Sequence, residues 1–91
     1  MTEQMTETRE HRLKRLSMRS MRRGIKEMDI ILSRYAEARL AGMSEAELDA
    51  YDRLLSENDQ DLYQWVSGQA EAPARVADQI ADIRGMIGAP E

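Results

Sequence analysis

The chain has no cysteine and no phenylalanine, two prolines and a single histidine in 91 residues. Without cysteine there is no disulfide framework, no thiolate metal ligand and no thiol nucleophile. His11 lacks an imidazole partner for a metal or a proton relay and stands among charged residues, so it reads as a solvated side chain. None of the serines sits in a nucleophile elbow, and no glycine-rich phosphate loop is present. Long apolar runs are missing too. The longest, Ile30 to Leu32, falls far short of the roughly 18 to 20 residues a membrane span requires, and no membrane insertion is expected. The first residues carry Glu3, Glu7 and Glu10 without an apolar stretch, which argues against a secretory signal. A bacterial cytoplasmic protein is expected, with a processed organellar one as the lesser option.

A chain of 91 residues suits one domain, and at this size a domain buries only about 60 to 65% of the surface its unfolded state exposes, so a deep interdomain cleft is not expected. Hydrophobic residues make up 42% and charged residues 33%, a globular balance rather than a disordered one. With one Trp and three Tyr as the only aromatics, Leu, Ile and seven adaptable Met must fill the core. The net charge of -4 conceals an asymmetry. Residues 1–23 hold seven Lys or Arg against three Glu, a balance of +4, whereas residues 24–91 hold six against fourteen acids, a balance of -8. A dipolar molecule is expected, and because its acidic remainder repels phosphate, no nucleic-acid partner is expected.

Helical periodicity runs through almost the whole chain, and no window alternates as a strand would. The fold class is all-α: a small five-helix bundle in a single domain, with the helical domain at 9–87 between flexible ends at 1–8 and 88–91. The first helix is expected over Glu7 to Arg22, with Leu13, Leu16, Ser17, Ser20 and Met21 inward. Gly24 follows as a turn residue able to take positive φ. A second helix over Ile25 to Ala41 places Ile25, Met28, Leu32, Tyr35 and Ala36 on one arc, and Gly42 ends it. Ser44 and Glu47 form an S-x-x-E capping box for a third helix, stapled by Met43 and Leu48, with Tyr51, Leu54 and Leu55 buried. Its acids Glu45, Glu47, Asp49 and Asp52 read as a solvated face. Asn58 or Asp59 caps a short fourth helix that Gly68 stops, and Trp65 pins it to the bundle. Pro73 suits the first turn of a fifth helix striped by Val76, Ile80, Ile83 and Ile87.

The stretch "MRRGIKEMDIIL", Met21 to Leu32, holds the densest constellation. If the second helix reaches back to Arg23, then Arg23, Glu27, Ile30 and Arg34 lie within about 60° of one another, opposite the core stripe. Two readings stand side by side here. In one, Gly24 is a turn, Arg23 and Glu27 form a surface ion pair worth about 0.3 to 0.5 kcal/mol, and Ile30 is an isolated exposed residue. In the other, a rigid turn displays a cation, an anion and an apolar contact to a partner.

The order of features, "RRGIKEMDIIL", then "LSRYAEARLAGMSEAELDAYDRLLSENDQDLYQWV", then an acid-and-alanine linker and a last helix, resembles the succinate dehydrogenase assembly factor family that promotes covalent flavin attachment. The likeness spans about Arg12 to Ile87. The family signature R-G-x-x-E is met by Arg23, Gly24 and Glu27, followed by an aspartate and an apolar run at Asp29 to Leu32. Alone this pattern is weak, but joined to the capping box and to D-L-Y-x-W at Asp61 to Trp65 it is specific. Gln60 departs from the family where relatives often place proline, and the basic N-terminal stretch is longer than usual. The resemblance implies a non-catalytic factor of respiratory complex II that binds the flavoprotein subunit of succinate dehydrogenase, and by extension that of fumarate reductase. In that family FAD is joined to the flavoprotein's own histidine, so no cofactor bound stably by this chain is implied. It also makes Arg23, Gly24 and Glu27 the client-facing patch, which helix geometry extends to Ile30 and Arg34. The free chain is expected to be a monomer. An alternative of another class is an antitoxin-like helical module acting on a toxin or a membrane-associated partner.

Overall fold

Three of the helix starts follow side-chain acceptors that the sequence supplies. The computed structural model describes residues 7–87 and contains α1 (Arg9–Arg19), α2 (Lys26–Arg39), α3 (Glu45–Leu55), α4 (Asp59–Ser67) and α5 (Ala77–Ile87), with 3-10 turns at Leu40–Gly42 and Ala74–Val76. This is the expected all-α, five-helix bundle, and no strand occurs among the described residues. Thr8 caps α1 through a 3.1 Å hydrogen bond from the His11 amide. The capping box of α3 closes in both directions, with the Glu47 amide donating to Ser44 Oγ at 3.1 Å and the Ser44 amide to Glu47 Oε1 at 2.7 Å. Asn58, not Asp59, caps α4, and Gly68 ends that helix in the left-handed region at φ 87°.

Several boundaries move inward from their expected places. Thr8 starts α1 later than Glu7, and the chain leaves the helix after Arg19, so Met21 is 44% exposed rather than buried. Ile25 is extended and stands before α2, and residues Leu40–Gly42 tighten into a 3-10 turn beyond it. Pro73 precedes a 3-10 turn instead of entering α5, whose regular register begins at Ala77. Of the expected flexible ends, Glu7 bonds Arg15 and Thr8 caps α1, while 1–6 and 88–91 lie outside the described residues.

The core gathers Leu16 from α1; Met28, Leu32, Tyr35 and Ala36 from α2; Leu48, Tyr51, Leu54 and Leu55 from α3; Leu62, Trp65 and Val66 from α4; and Ile80 and Ile83 from α5. Helix α2 is central and packs against α1, α4 and α5, while α5 also meets α3. The Tyr35 and Tyr51 rings lie 5.6 Å apart at a tilt of 47°. Ser20, fully buried, donates from Oγ to the Leu16 carbonyl at 2.8 Å, which uses its only proton. Tyr51 must therefore donate to Ser20 Oγ across their 2.6 Å contact.

Charge pairing explains how α1 is held. Arg9 and Arg12 reach Glu45 at 2.8 and 3.1 Å, Arg12 also meets Asp49, and Arg15 and Arg19 both meet Asp52. Of the α3 acids expected to form a solvated face, Glu45, Glu47 and Asp49 are indeed exposed, but Glu45, Asp49 and the less exposed Asp52 also form the strip that the arginines of α1 meet, while Glu47 closes the capping box. Much of the charge asymmetry along the chain is thus matched inside the fold.

Candidate functional site

The chain turns between α1 and α2 over six residues, and a buried clamp determines its path. Arg22 has φ 56°, and it is the one non-glycine residue with positive φ among those described. Such a conformation costs an L-residue about 1 to 3 kcal/mol and persists only where its surroundings over-determine it. Arg23 supplies that determination. Its side chain is only 10% exposed and sends Nε to Asp59 Oδ1 at 2.8 Å, Nη1 to the Arg19 carbonyl at 2.9 Å and Nη2 to the Leu55 carbonyl at 3.0 Å. Asp59 Oδ2 accepts the Gly24 amide at 2.6 Å. The electrostatics are those of converging helix ends: α1 and α3 stop here and leave carbonyls for a guanidinium, while α4 begins here and favours a carboxylate on its first residue.

This geometry corrects the local expectation. Because α2 begins at Lys26, Arg23 is outside its register and pairs with Asp59, so the surface ion pair with Glu27 does not form. The positive φ belongs to Arg22 and not to Gly24. Gly24 is needed for space, since a Cβ there would stand 3.1 Å from Asp59 Oδ2. Glu27, Ile30 and Arg34 do share the exposed side of α2, with Ile30 46% exposed. Neither Glu27 nor Arg34 has a hydrogen-bonding or ionic partner among the described residues. Asp59 is the residue that sequence reasoning passed over as a possible cap. A signal was there: Asn58 and Asp59 are both competent caps, one suffices, and with the Asn58 amide oxygen capping, the Asp59 carboxylate is free for a different task.

A groove of about 650 Å³ opens toward the other end of α2, bordered by Tyr35, Arg39, Met43, Tyr51, Arg75 and Asp82. Much of its rim is already matched within the chain. Asp82 accepts from Tyr35 at 2.6 Å and from Arg39 at 3.2 Å, and Arg75 donates to Glu57 at 3.1 Å. Burial, helped by Asp82, holds the Tyr35 hydroxyl above the ordinary tyrosine range, and burial pushes Tyr51 up to about 12. Both stay protonated at neutral pH. Among the described residues no group of His, Asp or Glu could hold a metal, and no helix is long and apolar enough to cross a membrane. The surface features this geometry supplies are the clamped turn with its exposed α2 face and the groove.

Comparison with known proteins gives these contacts a context. Residues 14–87 match the family model described as the flavinator of succinate dehydrogenase. The chain is 48% identical over 61 residues to the mitochondrial succinate dehydrogenase assembly factor 2 of Meyerozyma guilliermondii, an alignment covering 67% of this chain and 45% of that protein. It is 51% identical over 61 residues to the factor of the same name from Scheffersomyces stipitis, covering 67% and 41%. The Schizosaccharomyces pombe factor is 42% identical over 69 residues, covering 76% and 50%. The chain thus spans half or less of the length of these relatives. All three are mitochondrial proteins of fungi, which overturns the expectation of a bacterial cytoplasmic protein. The lack of cysteine and of a membrane span suits either compartment and had no power to separate them. Since the family match takes in most of α1, the clamped turn and all of α2 to α5, this chain belongs to the succinate dehydrogenase flavinator family.

Proposed function

We propose that the chain is a non-catalytic assembly factor that binds the flavoprotein subunit of succinate dehydrogenase and favours the covalent attachment of FAD to it. The observation that supports this reading best is the clamped turn inside the family match: Arg23 and Asp59 hold Gly24 at the surface beside an α2 face carrying exposed Glu27, Ile30 and Arg34. An anion, a cation and an apolar side chain on a rigid frame make a contact patch without a pocket. Such a patch promotes a reaction in its partner by binding the reactive conformation better than the others, and a tenfold preference, about 1.4 kcal/mol, raises its population ratio tenfold. FAD belongs to the client in this scheme, and the purified chain is colourless.

Glu27→Ala separates folding from function. The exposed carboxylate has no partner among the described residues, so stability falls by no more than about 0.3 to 1 kcal/mol through its place in the first turn of α2. A polar contact central to an interface costs about 2 kcal/mol or more in binding, so flavin attachment drops steeply. Covalent flavin in the client, read as fluorescence in a denaturing gel, is compared with a melting curve of each variant. A variant that melts like the parent and restores full attachment removes Glu27 from the site.

A further inference from the structure

The strained residue of the turn is an arginine, and no contact among the described residues explains why. Arg22 is exposed, has φ 56° and has neither hydrogen bond nor ionic partner among the described residues. Glycine adopts this conformation without a Cβ clash. The same chain uses glycine at the end of α4, where Gly68 has φ 87°. The other arginines nearby are engaged. Arg9, Arg12, Arg15 and Arg19 face carboxylates of α3, and Arg23 is taken up by Asp59 and two carbonyls.

The clamp accounts for the strain. Arg23 is tied back to the Arg19 carbonyl, Gly24 is tied to Asp59, and only Ser20, Met21 and Arg22 remain to close the path between these anchors. Ser20 is itself fixed in the right-handed region by its own bonds to α1 and by Tyr51. The reversal of direction is therefore left to the residues after it, and it falls on Arg22.

We infer that Arg22, rather than Arg23, is the cation that this turn displays to the partner, where it meets an acidic side chain of the flavoprotein, and that Arg23 and Asp59 are positioning residues that hold Arg22 in its left-handed conformation. The inference rests on the proposed function and deepens it by dividing the arginine pair into a displayed member and a structural one. A guanidinium suits this task because it offers a fixed fork of donors to a carboxylate. Asp59 touches no partner in this scheme and acts only through the turn.

The test uses the full chain and the purified flavoprotein subunit, with and without FAD. Arg22→Gly should raise Tm by about 2 to 6 °C, because glycine relieves the strain, and should weaken binding about tenfold or more. Arg22→Lys keeps both charge and strain, and should melt like the parent and retain affinity to within about threefold. Asp59→Asn should speed hydrogen exchange of the Gly24 amide and weaken binding, but should add little to the loss already caused by Arg22→Gly, since both act through one contact. Parental affinity in Arg22→Gly, an unchanged or lower Tm, or fully additive losses with Asp59→Asn would each overturn the inference. So would an affinity loss confined to the FAD-loaded client, which would make a flavin phosphate the anion. A parent chain that fails to bind the flavoprotein at all would instead sink the proposed function, while Gly24 exchange and the Tm of Arg22→Gly would still decide whether the clamp and its strain exist.

Discussion

At Gly24 the backbone amide and a carboxylate oxygen are 2.6 Å apart, and the carboxylate has no freedom to retreat because Arg23 holds its other oxygen. A methyl group added there meets Asp59 Oδ2 at 3.1 Å. Gly24→Ala is therefore expected to cost about 1 to 3 kcal/mol, the usual range for overpacking a site that cannot relax. A melting curve measures this, and covalent flavin should fall further than the folded fraction because the displaced turn is the proposed contact. Tyr51 provides a second residue-level outcome. Burial raises its pKa to about 12 from an ordinary value near 10.0, which favours the protonated form in the folded state. Its contribution is complete below the ordinary value and is lost as pH rises through the folded one. Unfolding free energy measured with denaturant should decline between about pH 10 and pH 12. Tyr51→Phe should remove part of that decline, Tyr35 supplying another part, and should cost about 1 kcal/mol at neutral pH for the lost bond to Ser20.

Helix α1 is held to the bundle by apolar contact through Leu16 and Leu13, by the bond between Tyr51 and its capping Ser20, and by a row of arginines on the carboxylates of α3. Asp52 is the hub of that row. Burial is the largest single influence and pushes its pKa up, but the Arg15 hydrogen bond and the charges of Arg15, Arg19 and Arg12 together outweigh it, and the net shift is downward. A lowered carboxylate pKa contributes stability that is complete above the ordinary value near 3.8 and disappears as pH falls through the folded value. Acid should accordingly release α1 before the helices whose contacts are apolar. Amide exchange followed down from pH 5 should show α1 opening while α4 and α5 stay protected, below about pH 4. Asp52→Asn should cost only about 0.5 to 1 kcal/mol at neutral pH, because its carboxyl is partly solvated and screened, and should flatten the acid response of α1. Loss of α1 and α5 protection together would show that the charge row is not what holds α1.

For the molecule as a whole, a chain this size has a total stability of about 5 to 14 kcal/mol, so a single core defect consumes a large share of it. Leu54 is fully buried, and Leu54→Ala should cost about 2 to 5 kcal/mol. Its effect on flavin attachment should follow the unfolded fraction and vanish at temperatures where the variant is folded. Glu27→Ala should show the reverse pattern, stability within about 1 kcal/mol of the parent with reduced attachment at every temperature. The two variants measured across one temperature series therefore distinguish a scaffold residue from a contact residue. Pairing of α1 with α3 also matters at this scale, because it neutralises internally many of the cations that a nucleic acid would otherwise engage.

Helical periodicity, capping chemistry and glycine punctuation are local properties, set within about four residues of each position. That is why the five helices, the Ser44 to Glu47 box, the Gly68 stop and nearly all of the core could be read directly from the chain. The R-G-x-x-E pattern and its downstream companion could be read too, and with them the family. The partner of Arg23 could not. Asp59 lies 36 residues further along, and nothing in the spacing around either residue tells which helix ends converge on the turn. The same holds for the row joining α1 to α3, whose members stand 33 to 37 residues apart. In isolation Arg23 and Glu27 sit at good ion-pair spacing, and Arg22 looks like any surface cation. Only when α1, α3 and α4 bring their ends together do two carbonyls and a carboxylate outcompete Glu27 for Arg23 and force the reversal of direction onto Arg22.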